Sequence, residues 1–497
     1  MRQTWLMTLS AFALGGLYSL GFAPYNLPYL TLAALGGFFV LLLRGAPVRV
    51  GYAFGFGLFL AGAYWFYISF HHFGDAVEAV AALVTLVFLA LLALVFALLA
   101  WVYQRLRQSV QPRSALSHVA LLASLWMIFE ALRLWLFGGF PWLSLGYALI
   151  DTPFVNLVRY GGVHSLSAIG AVMAANLAYL LLQPNRRSLL LALVGYTVLG
   201  LVVMQLPNPV QTTEKTLKVA AVQPNIAQHQ KLLESQLQPS IDLLKSQTAP
   251  LAGQVDVVLW PESAVPSFIE LTHEQLLGFA AETRIAGTDV VTGLFTVDYD
   301  TREVYNTLVN LNNLDEYYRK HRLVPFGETI PLRRWLAPLA IRFNIPLGDL
   351  FPSDEPLAPF QVGDHSVGAF ICYEAAYGHE LTEIVDQIDY WLTVSNDAWF
   401  GDTSAPHQHL QITRMRAIET GKPIVRSSNT GISAIIDHNG DVTAELGVNQ
   451  LGVVTGEIAL TTGQTLYSKL GNWPIWVLSW GALFVLLAPR KWPRISK

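Results

Sequence analysis

The sequence predicts an integral membrane α-helical bundle of eight transmembrane helices carrying an α/β layered domain outside the membrane. Three observations predict it. Apolar residues make up 53% of the 497-residue chain and charged residues only 13%, about half the charged share of an ordinary globular domain. The apolar residues gather in long runs over 1–206 and again over 473–489, whereas 207–465 has the balance of a soluble domain. Within that middle segment, short β-rich runs alternate with stretches of helical spacing.

A span needs about 20 mainly apolar residues. Eight stretches qualify, at about 4–22, 27–43, 51–70, 79–103, 117–137, 163–183, 187–205 and 473–489. The fourth is the clearest, with no charge from Val80 to Val102. The last is short, but Trp473, Trp476 and Trp480 suit an interfacial belt. The first is not read as a cleavable signal, because further spans follow at once. The expected organisation is a bundle of seven helices over 1–206, a soluble domain over 217–460 and a closing helix over 473–489.

Lys and Arg in the connections set the orientation. Arg2, Arg44 and Arg49, then Arg105, Arg107 and Arg113, then Arg186 and Arg187, and finally Arg490, Lys491, Arg494 and Lys497 all fall on one side. The alternate connections 23–26 and 71–78 carry none, and 138–162 carries only Arg159. Both termini are therefore expected in the cytoplasm and 207–472 on the outer side. A net charge of −4 gives no sign of a nucleic-acid partner.

Polar residues in the bundle read two ways. Glu130 and Arg133, three apart, are expected to share a helix face as a structural ion pair or to contact substrate. Trp65, Tyr67, His71 and His72 cluster where span three emerges, as an interfacial anchor or a metal site, of which the anchor is preferred.

In the outer segment, strands are expected at 217–223, 255–260, 289–295, 305–311, 366–372, 389–394 and 432–437, and helices at 228–248 and 274–286. The long Pro-rich stretch from His321 to Gln361 reads as functional or mobile loop. Its section Leu332–Phe343 mixes apolar and basic residues, which suits either a bilayer surface or a solvated arm.

Three polar groups follow strand ends, where active groups of α/β sheets gather. Glu262 lies in Trp260-Pro261-Glu262-Ser263, Lys320 in Arg319-Lys320-His321-Arg322, and Cys372 in Ile371-Cys372-Tyr373-Glu374. Cys372 is the only cysteine, so an internal disulfide is excluded, leaving an inert buried thiol or a nucleophile. A carboxylate that accepts the thiol proton and an ammonium that stabilises thiolate and oxyanion would make it a nucleophile. Taken singly, Glu262 could cap a helix, Lys320 could be solvated and Cys372 could be core. His407, His409 and His438 lack zinc-site spacing and read as capping or packing groups.

In order and context these motifs resemble the Glu-Lys-Cys triad of the carbon–nitrogen hydrolase (nitrilase) superfamily. With eight spans around them, the chain resembles the bacterial apolipoprotein N-acyltransferase family. The likeness extends to Gly139–Leu143, Val222–Ile226, Ser395–Gly401, Pro406–His409 and Arg414–Ala417. It implies a nitrilase-like αββα sandwich in which Glu262 is the general base, Lys320 stabilises the oxyanion and Cys372 is acylated. It further implies that Glu328 and Glu374 position Lys320 and the loop around the thiol, that Tyr373 shapes the site and that Asn306 supports it. The family often has tryptophan after the lysine of Gln-x-x-Lys; here Leu232 follows Lys231, so no aromatic role is carried over.

The implied reaction is ping-pong and needs neither metal nor cofactor. Cys372 takes an acyl chain from a phospholipid, phosphatidylethanolamine at sn-1, as a thioester. The α-amine of a diacylglyceryl-cysteine apolipoprotein then takes it from the thioester, completing lipoprotein maturation. The implied place is the bacterial inner membrane, with the catalytic domain in the periplasm. Nothing suggests an obligate partner, so a monomer is expected. A membrane-anchored amidase using water would share the triad, whereas a transporter is disfavoured by the scarcity of charge in the spans.

Overall fold

The computed structural model describes residues 2–73, 77–110, 115–136, 139–231, 233–325, 327–329 and 350–488. Chain contacts group into two compact units, one of residues 1–63, 86–206 and 472–497, the other of 64–85 and 207–471.

The first unit is helical. Among the described residues four helices are long and apolar enough to cross a membrane: Glu78–Arg107, Ala115–Leu132, Val155–Leu182 and Arg186–Met204. Pro28–Leu43, Val48–Gly62 and Trp473–Leu487 are apolar but shorter. At 1.5 Å per residue, a 15-residue helix reaches only about 22 Å of the roughly 30 Å apolar core. The third expected span therefore breaks early. Its helix ends at Gly62, and a short helical turn Phe66–Ile68 and a π-turn Ser69–Phe73 follow. Helices Arg2–Ser19 and Val48–Gly62 pack through small residues. A Cβ on Gly57 would stand 2.1 Å from the Phe12 carbonyl oxygen, the kind of close backbone approach that membrane helices use.

The expected Glu130–Arg133 pair is not made. The helix stops at Leu132, so Arg133 leaves the face that Glu130 occupies. Glu130 instead accepts from Trp126 Nε1 at 3.2 Å, Leu145 N at 2.9 Å and Ser167 Oγ, with His164 Nδ1 at 3.5 Å. Arg133 donates to the carbonyls of Phe140 and Trp142. Each charge ties the 139–149 connection to the bundle separately, so the two-residue ion pair gives way to two backbone clamps.

The second unit holds two six-stranded sheets. The first has the order β12-β1-β2-β3-β4-β5, built from Val210–Gln223 (β1), Val257–Leu259 (β2), Asp289–Val297 (β3), Val304–Asn310 (β4), Asn313–Arg319 (β5) and Gly452–Gly463 (β12). The second, β11-β10-β9-β8-β7-β6, uses Phe360–Val362 (β6), His365–Ile371 (β7), Tyr390–Ser395 (β8), Ile424–Ser428 (β9), Ser433–Ile436 (β10) and Val442–Leu446 (β11). Strands β1-β2-β3 and β7-β8-β9 run parallel, and the outer pairs are antiparallel.

Strand alternation sorts the core into layers. Val219, Ala221, Val257 and Leu259 of the first sheet meet Ala369, Ile371, Leu392 and Val394 of the second. The intervening Ala220, Val222, Val258 and Trp260 face outward onto Ile241 and Leu244 of helix Glu234–Thr248 and Leu276 and Ala280 of helix Ile269–Ile285. On the second sheet, Trp391 Nε1 donates to Thr420 of helix Ala405–Thr420 at 3.2 Å. Sheets lie inside and helices outside.

The expected strands are present with shifted ends, but β5, β6, β9, β11, β12 and helix Ala405–Thr420 lie outside the expected set. β9 reads Ile-Val-Arg-Ser-Ser, and its buried polar residues hide a central strand. Helix Ala405–Thr420 is buried on nearly every side and carries no apolar stripe. The single helix expected at 228–248 is two, Gln228–Lys231 and Glu234–Thr248. The arm Leu332–Phe343, like Leu232, Arg113 and the basic C-terminal residues, lies outside the described residues. Segment 64–85 joins this unit through aromatics: Trp65 meets Phe400 at 4.8 Å, and Ser69 Oγ donates to the Trp399 carbonyl at 2.8 Å. Tyr67 stacks on His71, and the His72 side chain lies outside the described residues.

Candidate active site

The chain leaves β2 through Trp260-Pro261 and turns at Glu262 and Ser263, where Ser263 has φ +47. Gly293 of β3 makes room for this turn. A Cβ there would lie 2.6 Å from the Pro261 oxygen, 2.7 Å from Ser263 N and 2.8 Å from the Glu262 Cα. These are backbone atoms that cannot rotate away. Gly293→Ala is therefore expected to push the Glu262 carboxylate off its partners and lower activity by about 10²-fold, while thermal stability falls by only a few degrees. Activity within twofold of wild type would show that the turn has slack.

Glu262 Oε1 accepts from Lys320 Nζ at 3.0 Å and from Asn306 Nδ2 at 2.7 Å. Asn306 comes from β4, and its main-chain oxygen receives Lys320 N at 2.9 Å, which places the lysine at the end of β5. Glu328 closes the group. Its Oε1 takes Lys320 Nζ at 2.8 Å and Asn306 Nδ2 at 3.3 Å, and its Oε2 takes Val324 N at 2.8 Å. Lys320 is 1% exposed. Burial works against its charge, but Glu262, Glu328 and Cys372 outweigh it and hold Lys320 well above the usual lysine range. It is a permanent cation between two carboxylates.

Cys372 ends β7 and opens the turn Cys372–Ala376 with φ +52 and 8% exposure. Burial, then Glu262, pushes its thiol well above the usual value; Lys320 pulls it down, and Asp397 and Glu328 push it further up. The resting thiol is protonated, so it needs a base at hand to react. Glu374 anchors the turn from beneath. Its Oε2 accepts Ile371 N at 2.6 Å and Tyr318 OH at 2.9 Å, and its Oε1 accepts His321 N at 2.6 Å and Arg322 N at 3.0 Å. One carboxylate thus pins the segments after both Lys320 and β7; burial raises its pKa despite these bonds. Tyr373 lies edge-on to Tyr377 at 5.4 Å and accepts from its hydroxyl at 3.4 Å.

The structure brings three more groups to the thiol. Cys372 Sγ, a carboxylate oxygen of Asp397 and a ring nitrogen of His409 lie within 4.8 Å of one another, a grouping that could suggest a metal. Its donors are already engaged. His409 Nδ1 meets Asp397 Oδ1 at 2.9 Å and Nε2 meets the Cys372 carbonyl oxygen at 3.0 Å. Arg426 NH2 also lies 3.1 Å from His409 Nδ1, so that ring nitrogen stands between the Asp397 carboxylate and the guanidinium. Arg426 NH2 holds Asp397 Oδ2 at 2.8 Å. Burial opposes the Asp397 charge, but His409 and Arg426 prevail and keep its carboxyl below the usual range. His409, expected as a capping or packing group, bonds the main-chain oxygen of Cys372. Asp397 follows the end of β8 within a motif noted in the sequence; its position there was the signal. The third group, Lys231, donates from Nζ to the Glu262 carbonyl at 2.8 Å.

Asp397→Ala strands the buried Arg426 guanidinium and is expected to cost about 3–5 kcal/mol. A loss of thermal stability in detergent checks this, and an unchanged transition would remove the ion pair from the fold's support.

Two parallel-centred sheets with Glu262, Lys320 and Cys372 at their strand ends define a carbon–nitrogen hydrolase domain, and residues 207–467 match the carbon–nitrogen hydrolase family. Residues 14–176 match the apolipoprotein N-acyltransferase N-terminal domain. The chain belongs to the apolipoprotein N-acyltransferase family. It is 34% identical to the apolipoprotein N-acyltransferase of Vibrio vulnificus (strain CMCP6) over 97% of this chain and 96% of the relative. It is 36% identical to that of Azotobacter vinelandii over 95% and 93%. Saccharomyces cerevisiae Nit3, a member of branch 10 of the nitrilase superfamily, is similar over 51% of this chain and 92% of its own, with 16% identity and a TM-score of 0.38.

Proposed function

We propose that this enzyme is an N-acyltransferase. It moves an acyl chain from a phospholipid, through a Cys372 thioester, to the α-amino group of the N-terminal diacylglyceryl-cysteine of an apolipoprotein. The observation that carries this reading is the buried Glu262–Lys320 pair acting on Cys372, in a chain whose relatives at full length are named for that reaction.

Glu262 takes the Sγ proton as sulfur attacks the ester carbonyl. Lys320 donates to the oxyanion that forms. The carbon–oxygen ester bond then breaks, and the departing lysophospholipid oxygen receives the proton from Glu262. The acceptor amine attacks the thioester, and the tetrahedral species expels the Cys372 thiolate. Asn306 and Glu328 orient the pair, and Glu374 fixes the turn that presents the thiol. Tyr373, beside Tyr377, shapes the rim of the site.

Eight spans, with seven over 1–206 and one at 473–489, hold the 217–460 domain at the outer face of the inner membrane, both termini in the cytoplasm. Four long apolar helices and the one-sided basic clusters support this. Phosphatidylethanolamine is the donor and the protein acts as a monomer. The test supplies purified full-length protein with isotope-labelled phosphatidylethanolamine, then a diacylglyceryl-cysteine peptide. Label should pass to a hydroxylamine-sensitive protein adduct and then to the peptide. Release of the label only as free fatty acid would make the enzyme a hydrolase instead.

A further inference from the structure

The acceptor half-reaction has one proton more than Glu262 can place. An α-ammonium that becomes an amide nitrogen loses two protons. One ends on Cys372 when the thiolate is expelled, by way of Glu262. The other must leave before attack, because an ammonium has no lone pair to form the new carbon–nitrogen bond.

Lys231 closes the short helix Gln228–Lys231 and is 2% exposed. Its Nζ bonds the Glu262 carbonyl at 2.8 Å, and among the described residues that is its one hydrogen bond. An ammonium offers three N–H groups, and burying them unfilled is costly. The nitrogen thus sits against the general base with two directions open. The titratable groups that act on it are Glu262, on the turn after β2, and Cys372, after β7. Lys320 pairs with the Glu262 carboxylate and with Glu328, and Asp397 lies within 4.8 Å of the thiol.

Building on the acyl-transfer reading above, we propose that Lys231 accepts the first proton of the acceptor's α-ammonium and so frees the amine to attack the Cys372 thioester. The Lys231 lone pair forms an N–H bond as one N–H bond of the ammonium breaks, and the proton later passes to solvent as product leaves. Lys231 is suited to exist as the amine. Burial brings it down to about 8, against the pull of Glu262 and Cys372.

The experiment separates the half-reactions in the full-length protein. Wild type, Lys231→Arg and Lys231→Met are loaded with labelled phosphatidylethanolamine, and the thioester is then discharged by a diacylglyceryl-cysteine peptide or by hydroxylamine, from about pH 6.5 to 9.5. Hydroxylamine is neutral there and needs no prior deprotonation. Both variants are expected to load, and to discharge to hydroxylamine within about threefold of wild type. Discharge to the peptide is expected to be about 100-fold slower below neutrality, the scale of a lost general base, and the gap should narrow toward pH 9.5, where the peptide's α-amine, with an ordinary pKa of about 8, is already neutral. Peptide discharge at the wild-type rate below neutrality in either variant overturns the proposal. So does equal slowing to both nucleophiles, which would mark a structural role. Failure of wild type to load is a different result and would overturn the acyl-transfer reading together with this one.

Discussion

Cys372→Ala is expected to abolish acyl transfer, by about 10⁴-fold or more, while the protein folds and inserts normally. The two expectations have separate physical grounds. Position 372 holds φ +52, a conformation that penalises any Cβ, and cysteine and alanine meet that penalty alike. The change removes one buried sulfur, and the turn remains held by Glu374 through Ile371 N and by His409 through the Cys372 carbonyl. Chemistry has no such reserve. No other cysteine exists in the chain, and the remaining groups at the site are bases and cations that stabilise charge without forming a thioester. Intact mass spectrometry after incubation with labelled phospholipid reads the result. A hydroxylamine-sensitive acyl mass on the alanine variant would rule out the thioester.

Glu262→Gln should lose about 10²–10⁴-fold, the contribution of a general base, with an unusual signature. Gln still accepts from Lys320 and Asn306, so geometry is largely kept. It cannot take a proton. Its neutrality also removes the anion that most opposes the thiolate, since Glu262 raises the Cys372 pKa. The sign follows: the thiol of the variant should ionise at lower pH than that of wild type, although acylation is lost. Titrating Cys372 by its rate of alkylation against pH, beside a measurement of adduct formation, separates the two roles. A variant that forms the adduct normally would move the base elsewhere. One whose thiol titrates at higher pH would mean that Glu262 acts on Cys372 by hydrogen bonding rather than by charge.

Much of this site was legible in one dimension because two of its three central residues follow strands that the apolar pattern reveals. Val257–Leu259 delivers Glu262 and His365–Ile371 delivers Cys372. Lys320 ends β5, whose alternating exposure and polar composition concealed the strand while its motif remained readable. Glu328, Glu374 and Asn306 carried the same motif signal. Asp397, His409, Arg426 and Lys231 did not show their contacts. Their roles depend on atoms far away in sequence: His409 on the carbonyl of residue 372, Arg426 on a carboxylate at 397, and Lys231 on a carbonyl at 262. A polar side chain gives no sign in sequence of the acceptor it will find.

The sequence by itself set apart the long apolar runs, revealed the α/β character of the segment between them and singled out Cys372, Glu262 and Lys320 as the proposed nucleophile, base and cation. Hydrophobic runs, strand ends and a single thiol are local properties, so they survive without coordinates. Tertiary structure alone decided that Glu130 and Arg133 part company at a helix end, that two sheets stack with Cys372 in their shared buried cluster, that Lys320 bridges Glu262 and Glu328, and that His409 grips the main chain at Cys372. Pairing directions, helix ends and the burial of charge are set by three-dimensional packing, where a hydrogen bond depends on a few tenths of an ångström that no spacing along the chain encodes.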